Sequence, residues 1–222
     1  MDVNIWNRGA ARALPGGSAA RGFTLIELVV VITVIVILMA LLFPAFKGVQ
    51  DQAKRTQAKN DLTQVVTAVN AFYTEYGQYP YPASVANTGA DAQDFFAGDD
   101  DNNNKLFDVL RADPNNGTAV TYNPKLIAFF QPTIAKDLNK PRSGIGGNGR
   151  LYDPWNNTYR IRIDNNYNNA VQNPYSSNAG FDPIQQGVIA WSIGKDQDGA
   201  KTATSGADKN TGTYDDDVIS WQ

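Results

Sequence analysis

The run RGFTLIELVVVITVIVILMALLF at residues 21–43 constrains this chain more than any other stretch. From Phe23 to Phe43 it holds 21 residues and a single charged side chain, Glu27. As a helix rising about 1.5 Å per residue it is roughly 30 Å long, the thickness of a bilayer's hydrocarbon core. An ionisable group inside such a span is costly to keep, so by default it marks function. A conventional secretory signal is the rival reading, but its apolar core is shorter, about 7–15 residues, and ends in an A-x-A-like site. This run is longer, contains Glu27 and ends in Phe43-Pro44-Ala45-Phe46, so it reads as a membrane span.

The remaining chain is of another kind. Mean hydropathy over all 222 residues is that of a soluble protein, so the apolar character is concentrated at one end and leaves room for one medium globular domain. There is no Cys and no His. That excludes disulfides, thiolate metal sites and cysteine nucleophiles, together with the commonest general base and transition-metal ligand. Any resident ion should be hard and oxygen-liganded, calcium before others. The formal charge is -3, and residues 1–22 carry Arg8, Arg12 and Arg21 against Asp2, so the rest is more acidic still. That balance gives no broad surface for nucleic acid.

Residues 1–22, rich in Gly, Ala and Arg, read as a leader. After the span, Leu62, Val65, Val66, Val69, Phe72, Tyr73 and Tyr76 recur at three- and four-residue spacing. This predicts an amphipathic helix that packs on the domain's own sheet and stops at Gly77. Pro44 and Gly48 between the two halves predict a kink or local unwinding. Tyr79-Pro80-Tyr81-Pro82 opens an extended, turn-rich stretch. The run Asp99-Asp100-Asp101-Asn102-Asn103-Asn104 reads as a solvated loop before a short helix near 105–111. It lacks the Gly and Glu that an EF-hand needs at its sixth and twelfth positions. Further on, Tyr159, Ile161 and Ile163 alternate with Arg160 and Arg162, predicting a half-buried strand. Val188–Ile193 and Val218–Trp221 predict two more.

Three motifs carry functional information. Gly22-Phe23-Thr24-Leu25-Ile26-Glu27-Leu28 resembles the processing and assembly signal of type IV pilins and type II secretion pseudopilins. Asp153-Pro154-Trp155-Asn156-Asn157-Thr158-Tyr159 resembles the D-P-W-G-x-x-Y motif of major pseudopilins, with Asn156 at the Gly position. Asn tolerates left-handed backbone better than most residues, and Trp155 is expected to pack in the core. Ser192-Ile193-Gly194-Lys195-Asp196-Gln197-Asp198-Gly199 and Asp217-Val218-Ile219-Ser220-Trp221 resemble the paired C-terminal motifs of the same proteins.

The resemblance implies an α+β pilin fold, with a long N-terminal helix packed on a small antiparallel sheet with long loops. The implied divisions are a leader at 1–22, an assembly helix at 23–43 and a periplasmic domain at 44–222 that includes the amphipathic helix to about residue 77. It implies cleavage by a prepilin peptidase between Gly22 and Phe23, then methylation of the new α-amino group. Glu27 would pair with that ammonium on a neighbouring subunit; Thr24 and Glu27 also have the spacing of a capping box, a second role for the same carboxylate. A structural calcium ion is implied in the C-terminal loop. Asp196 and Asp217 match the acidic ligands and Ile193 the carbonyl ligand, with Asp198 and Asp216 as further candidates; the alternative is a solvated acidic loop. Implied partners are further copies in a filament, minor pseudopilins and the inner-membrane assembly platform. The implied location is the inner membrane, as a single-pass protein.

The reading is therefore a structural subunit of a type II secretion pseudopilus and no enzyme. A type IV pilin for adhesion, motility or DNA uptake is the first alternative and a membrane-anchored enzyme the second. No phosphate-binding Gly-Lys-Ser/Thr loop is present, so filament growth would draw its energy from a separate ATPase.

Overall fold

The computed structural model describes residues 22–80, 94–98, 101–197, 207–210 and 212–222. Its first element is helix α1, Leu25–Tyr76. The end at Tyr76 has a local cause. Gly77 takes φ +68°, and its N–H donates to the Tyr73 carbonyl at 2.8 Å, the left-handed stop that glycine adopts without a Cβ penalty. The helix assignment runs through Pro44 and Gly48, so the unwinding expected there is absent. A proline removes one helical hydrogen bond and bends a helix without having to end it.

The chain divides into two units, residues 1–48 and 49–222. In the first, the apolar side chains from Phe23 to Phe43 are exposed on every side of the helix. A helix apolar all round is a core or membrane helix, and this one has the length and composition to cross a membrane.

In the second unit the fold is α+β. Strands β1 (Asp94–Ala97), β4 (Arg160–Asp164), β6 (Val188–Ser192) and β8 (Val218–Ile219) form an antiparallel sheet in the order β1-β4-β6-β8. Leu62, Val65, Val69 and Phe72 of α1 are fully buried in one cluster with Phe95, Ile161, Ile163, Val188 and Ala190 from one face of that sheet. Ala58 and Ala68 join them, Val66 and Tyr76 pack at the edge, and Tyr73 is exposed. Each large apolar side chain buried here stabilises the fold by about 1.5–3 kcal/mol.

The opposite face overturns one expectation. β4 is buried along its whole length, Arg160 and Arg162 included. In register, Arg160 lies beside Trp191 and Arg162 beside Ile189, and these belong to a second apolar cluster with Val171, Tyr175, Ala179 and Ile184. The chain between residues 164 and 187 supplies this cover, which strand periodicity has no means of announcing. Each guanidinium reaches a backbone carbonyl inside it. Arg160 donates to the Thr158 carbonyl at 3.2 Å, and Arg162 to the Gln172 carbonyl, with Asp94 at 4.0 Å.

Two more helices, α2 (Asp101–Arg111) and α3 (Gly117–Tyr122), precede the hairpin of β2 (Gly144–Ile145) and β3 (Leu151–Tyr152). α2 starts earlier than expected, taking in 101–104. Asn103 is fully buried; its amide donates to the Tyr159 carbonyl at 2.7 Å and accepts from the Leu151 N–H at 3.0 Å. It is a brace between helix and sheet rather than part of a solvated loop, and Asp99 and Asp100 lie outside the described residues. A parallel pair, β5 (Tyr175–Ser177) with β7 (Ala207–Asp208), ties the covering loop to the C-terminal region.

Candidate functional site

At the amino-terminal end, Gly22 and Phe23 are exposed and non-helical, and Thr24 directly precedes α1. The Thr24 N–H and hydroxyl both donate to Glu27 Oε2 at 2.8 Å, and the Glu27 N–H donates back to Thr24 Oγ1 at 3.3 Å. This is the reciprocal capping box, which satisfies donors that a helix start leaves open. Glu27 carries it out with one oxygen, and its side chain is exposed within the first unit.

In the second unit the 153–159 turn is organised by one buried carboxylate. Asp153 Oδ1 accepts from the backbone N–H groups of Trp155 and Asn157, both at 2.8 Å. Oδ2 accepts from Ser192 Oγ at 2.6 Å and from Asn157 Nδ2 at 3.2 Å. Burial pushes the Asp153 carboxyl above its ordinary range, and these four donors pull it back. Asn156 takes φ +79°, so Asn stands where left-handed backbone is required. Trp155 packs in the helix-side cluster, as its size predicts.

That turn reaches the acidic C-terminal loop. Asn157 Nδ2 donates to the Gly194 carbonyl at 2.7 Å, and the Gly194 N–H donates to Ser192 Oγ at 3.1 Å. Gly194 has φ +69°, and a Cβ there would lie 2.6 Å from Asp216 Cγ. The close approach lets Asp216 Oδ2 accept from the N–H groups of Lys195 at 2.5 Å and Asp196 at 3.2 Å. Asp216 Oδ1 is buried with no hydrogen-bond partner among the described residues.

Asp217 faces elsewhere: its Oδ2 accepts from the Tyr175 hydroxyl at 2.7 Å. Burial and that carboxylate raise Tyr175 far above the usual phenol range. Thus, of the expected ligands, Asp216 meets the 193–196 segment, Asp196 is exposed beside it, Asp217 turns to Tyr175, and Asp198 lies outside the described residues. Among the described residues no three acidic side chains converge as a metal cluster.

Side chains of α1 fasten this loop region, Lys59 and Asp51 among them. Lys59 Nζ donates to the Ile219 carbonyl at 2.7 Å, and Lys195 pairs with Asp51 at 2.7 Å. The second is exposed and contributes little. Sequence reasoning missed Asp153 and Lys59 as organisers. The signal for Asp153 was present, since an Asp opening a tight turn accepts from the backbone just ahead of it. Lys59 carried none.

Comparisons with known proteins cover part of this chain. Residues 17–43 match the prokaryotic N-terminal methylation motif. The type IV major pilin protein PilA of Myxococcus xanthus is 42% identical over 59 residues, 27% of this chain and 27% of that protein. The type II secretion system core protein G of Pseudomonas aeruginosa is 41% identical over 59 residues, 27% of this chain and 42% of that protein. Its namesake in Pectobacterium carotovorum is 33% identical over 64 residues, 29% and 41%. The matched region thus spans between about a quarter and two fifths of these relatives. No solved structure matches. The motif and these relatives support a pilin-class amino terminus and, within that class, a pseudopilin. The relatives are named as pilin and secretion-core proteins, and a structural subunit is what those names support.

Proposed function

We propose that this chain is a structural subunit of a type II secretion pseudopilus, anchored in the inner membrane by residues 23–43 after loss of the 1–22 leader, with 44–222 in the periplasm. The observation that carries this reading is the apolar helix that opens with the Thr24–Glu27 box, directly after Gly22-Phe23, inside the matched methylation motif. A prepilin peptidase would cut after Gly22, and the methylated Phe23 ammonium would meet Glu27 of a neighbouring copy. The pairing would set register while membrane helices gather at the filament centre, in contact with minor pseudopilins and the assembly platform. Mass spectrometry of the membrane-extracted protein tests the first step. The expected product begins at Phe23 with one added methyl group; an intact 1–22 segment would refute the processing. Replacement of Glu27 by Gln should then abolish filaments without preventing membrane insertion.

A type IV pilin is the second reading, favoured by the M. xanthus relative. Loss of exoprotein secretion, rather than of surface pili, on deletion of the gene separates the two.

The proposed calcium site draws on the buried, unpartnered Asp216 Oδ1. An oxygen of that kind suits a hard cation, with Asp196 and the Ile193 carbonyl nearby in sequence to the backbone groups that Asp216 grips, and Asp198 and Asp217 as the other candidates. Bound there, calcium would tie the two ends of the acidic loop. The melting temperature should rise with calcium and fall with chelator, and Asp216→Ala should remove the response. A response unchanged in that variant would place the ion elsewhere.

A further inference from the structure

Residues 131–145 lie outside the three motifs that carry the resemblance. Here Thr133, Lys136, Asp137, Lys140, Arg142 and Ser143 line a cleft of about 660 Å3, the size of an ordinary small-molecule site. Backbone contacts fix its frame. The Ile145 N–H donates to the Thr133 carbonyl, the Ala135 N–H to the Ile145 carbonyl and the Ser143 N–H to the Asp153 carbonyl, all at 2.9 Å. Gly144 has φ +117°, and a Cβ there would sit 2.3 Å from the Thr133 oxygen, so only glycine lets the two segments close this tightly.

The charges within that frame are unbalanced. Lys136, Lys140 and Arg142 oppose one carboxylate, Asp137, whose Oδ1 accepts from the N–H groups of Asn139 at 2.9 Å and Lys140 at 3.2 Å. Those bonds hold the Asp137 carboxyl below its usual range and turn it toward its own loop. Among the described residues, none of the three cationic groups is in an ion pair. With Asp137 the one carboxylate among the lining residues, Lys136, Lys140 and Arg142 leave the cleft with a net positive charge in a chain whose net charge is -3.

We propose that this cleft binds a phosphate group. A guanidinium fork, two ammonium groups and the Thr133 and Ser143 hydroxyls together offer the many donors that a tetrahedral oxyanion accepts. The group would come either as free phosphate or as the phosphate ester of a sugar, for which the cleft has room. This site is independent of the filament reading, because it uses no residue of the membrane segment or of the acidic loop.

The test is calorimetric titration of the full chain in non-ionic detergent with inorganic phosphate and, separately, with a hexose phosphate at low ionic strength. Lys140→Gln with Arg142→Gln removes two exposed cations from the cleft. Lys47→Gln with Lys54→Gln removes the same charge elsewhere. Saturable binding that weakens at least tenfold in the first variant and stays unchanged in the second is the expected result. Tighter binding of the hexose phosphate would identify the ester as the source, and equal binding would identify free phosphate. No saturable binding of either probe, or an equal loss in both variants, would overturn the site.

Discussion

Replacing Asp153 by Ala should cost the 49–222 unit about 3 kcal/mol. The reasoning starts from the four donors its carboxylate satisfies. Ser192 can rotate its hydroxyl, and the Asn157 amide keeps the Gly194 carbonyl. The N–H groups of Trp155 and Asn157 keep nothing, and each buried orphan costs about 1–3 kcal/mol. Removing a buried carboxylate recovers part of its desolvation, about 1 kcal/mol, which leaves the net near 3. Against a total stability of about 5–15 kcal/mol for a domain, that is a large fraction. With a urea slope of about 1–3 kcal/mol per molar, the unfolding midpoint should fall by roughly 1–3 M. Asp153→Asn is the informative partner: its carbonyl can still accept both backbone N–H groups, so it should lose only about 1 kcal/mol. Equal losses in the two variants would show that the turn does not depend on those N–H bonds. A midpoint moved by less than about 0.3 M in Asp153→Ala would refute the accounting altogether.

The other expectations are simpler to read out. Gly194→Ala should destabilise by about 2 kcal/mol, from left-handed backbone and collision with Asp216, and thermal melting checks it. Tyr159 and Tyr175 are both raised, chiefly by burial and then by a neighbouring carboxylate; an ultraviolet alkaline titration should show two phenols silent until the fold opens. For acid, Asp61 and Asp153 are raised by burial, so the folded state takes up protons before the unfolded chain does. Their contribution to stability is fully present below the ordinary Asp value of about 3.9 and is lost as pH rises through the raised folded values. Urea midpoints measured from about pH 4 to 6 should show this slope, and Asp61→Asn should flatten it; an unchanged slope in that variant would contradict the assignment.

What could be read in advance follows a physical division. The membrane segment and the α1 stripe were legible because each is a local property of consecutive residues, and Gly77 because only a residue without Cβ suits a left-handed stop. Val188–Ile193 was legible as a strand, which the structure runs over Val188–Ser192. The ends of the sheet were harder. Val218–Trp221 pairs as a strand only through Ile219, after which the Ser220 N–H donates to the Ala190 carbonyl and Ser220 Oγ accepts from the Ala190 N–H. β1 escaped notice because four residues give too short a pattern. Asn103 and the arginines of β4 were misjudged for one reason. Their environment is made by chain distant in sequence, and polar side chains look alike in a list whether water or a carbonyl receives them. At the acidic loop the sequence offered no means of telling that Asp216 meets the N–H groups of Lys195 and Asp196 while Asp217 meets the Tyr175 hydroxyl.

The buried arginines of β4 also bear on how this domain can be edited. Loops are usually the parts of a protein that can be cut back without penalty. Here residues 171–184 serve as a roof over one side of the sheet, and Trp191, Ile189 and two guanidiniums are its tenants. Trimming that roof to make a minimal domain would bare an aromatic and apolar patch on an otherwise well-paired sheet, the kind of surface that draws proteins together in solution. A shortened version would remain soluble only if the outward side of β6 were repainted with polar residues in the same step. Loop length and strand composition in this domain are therefore one design variable.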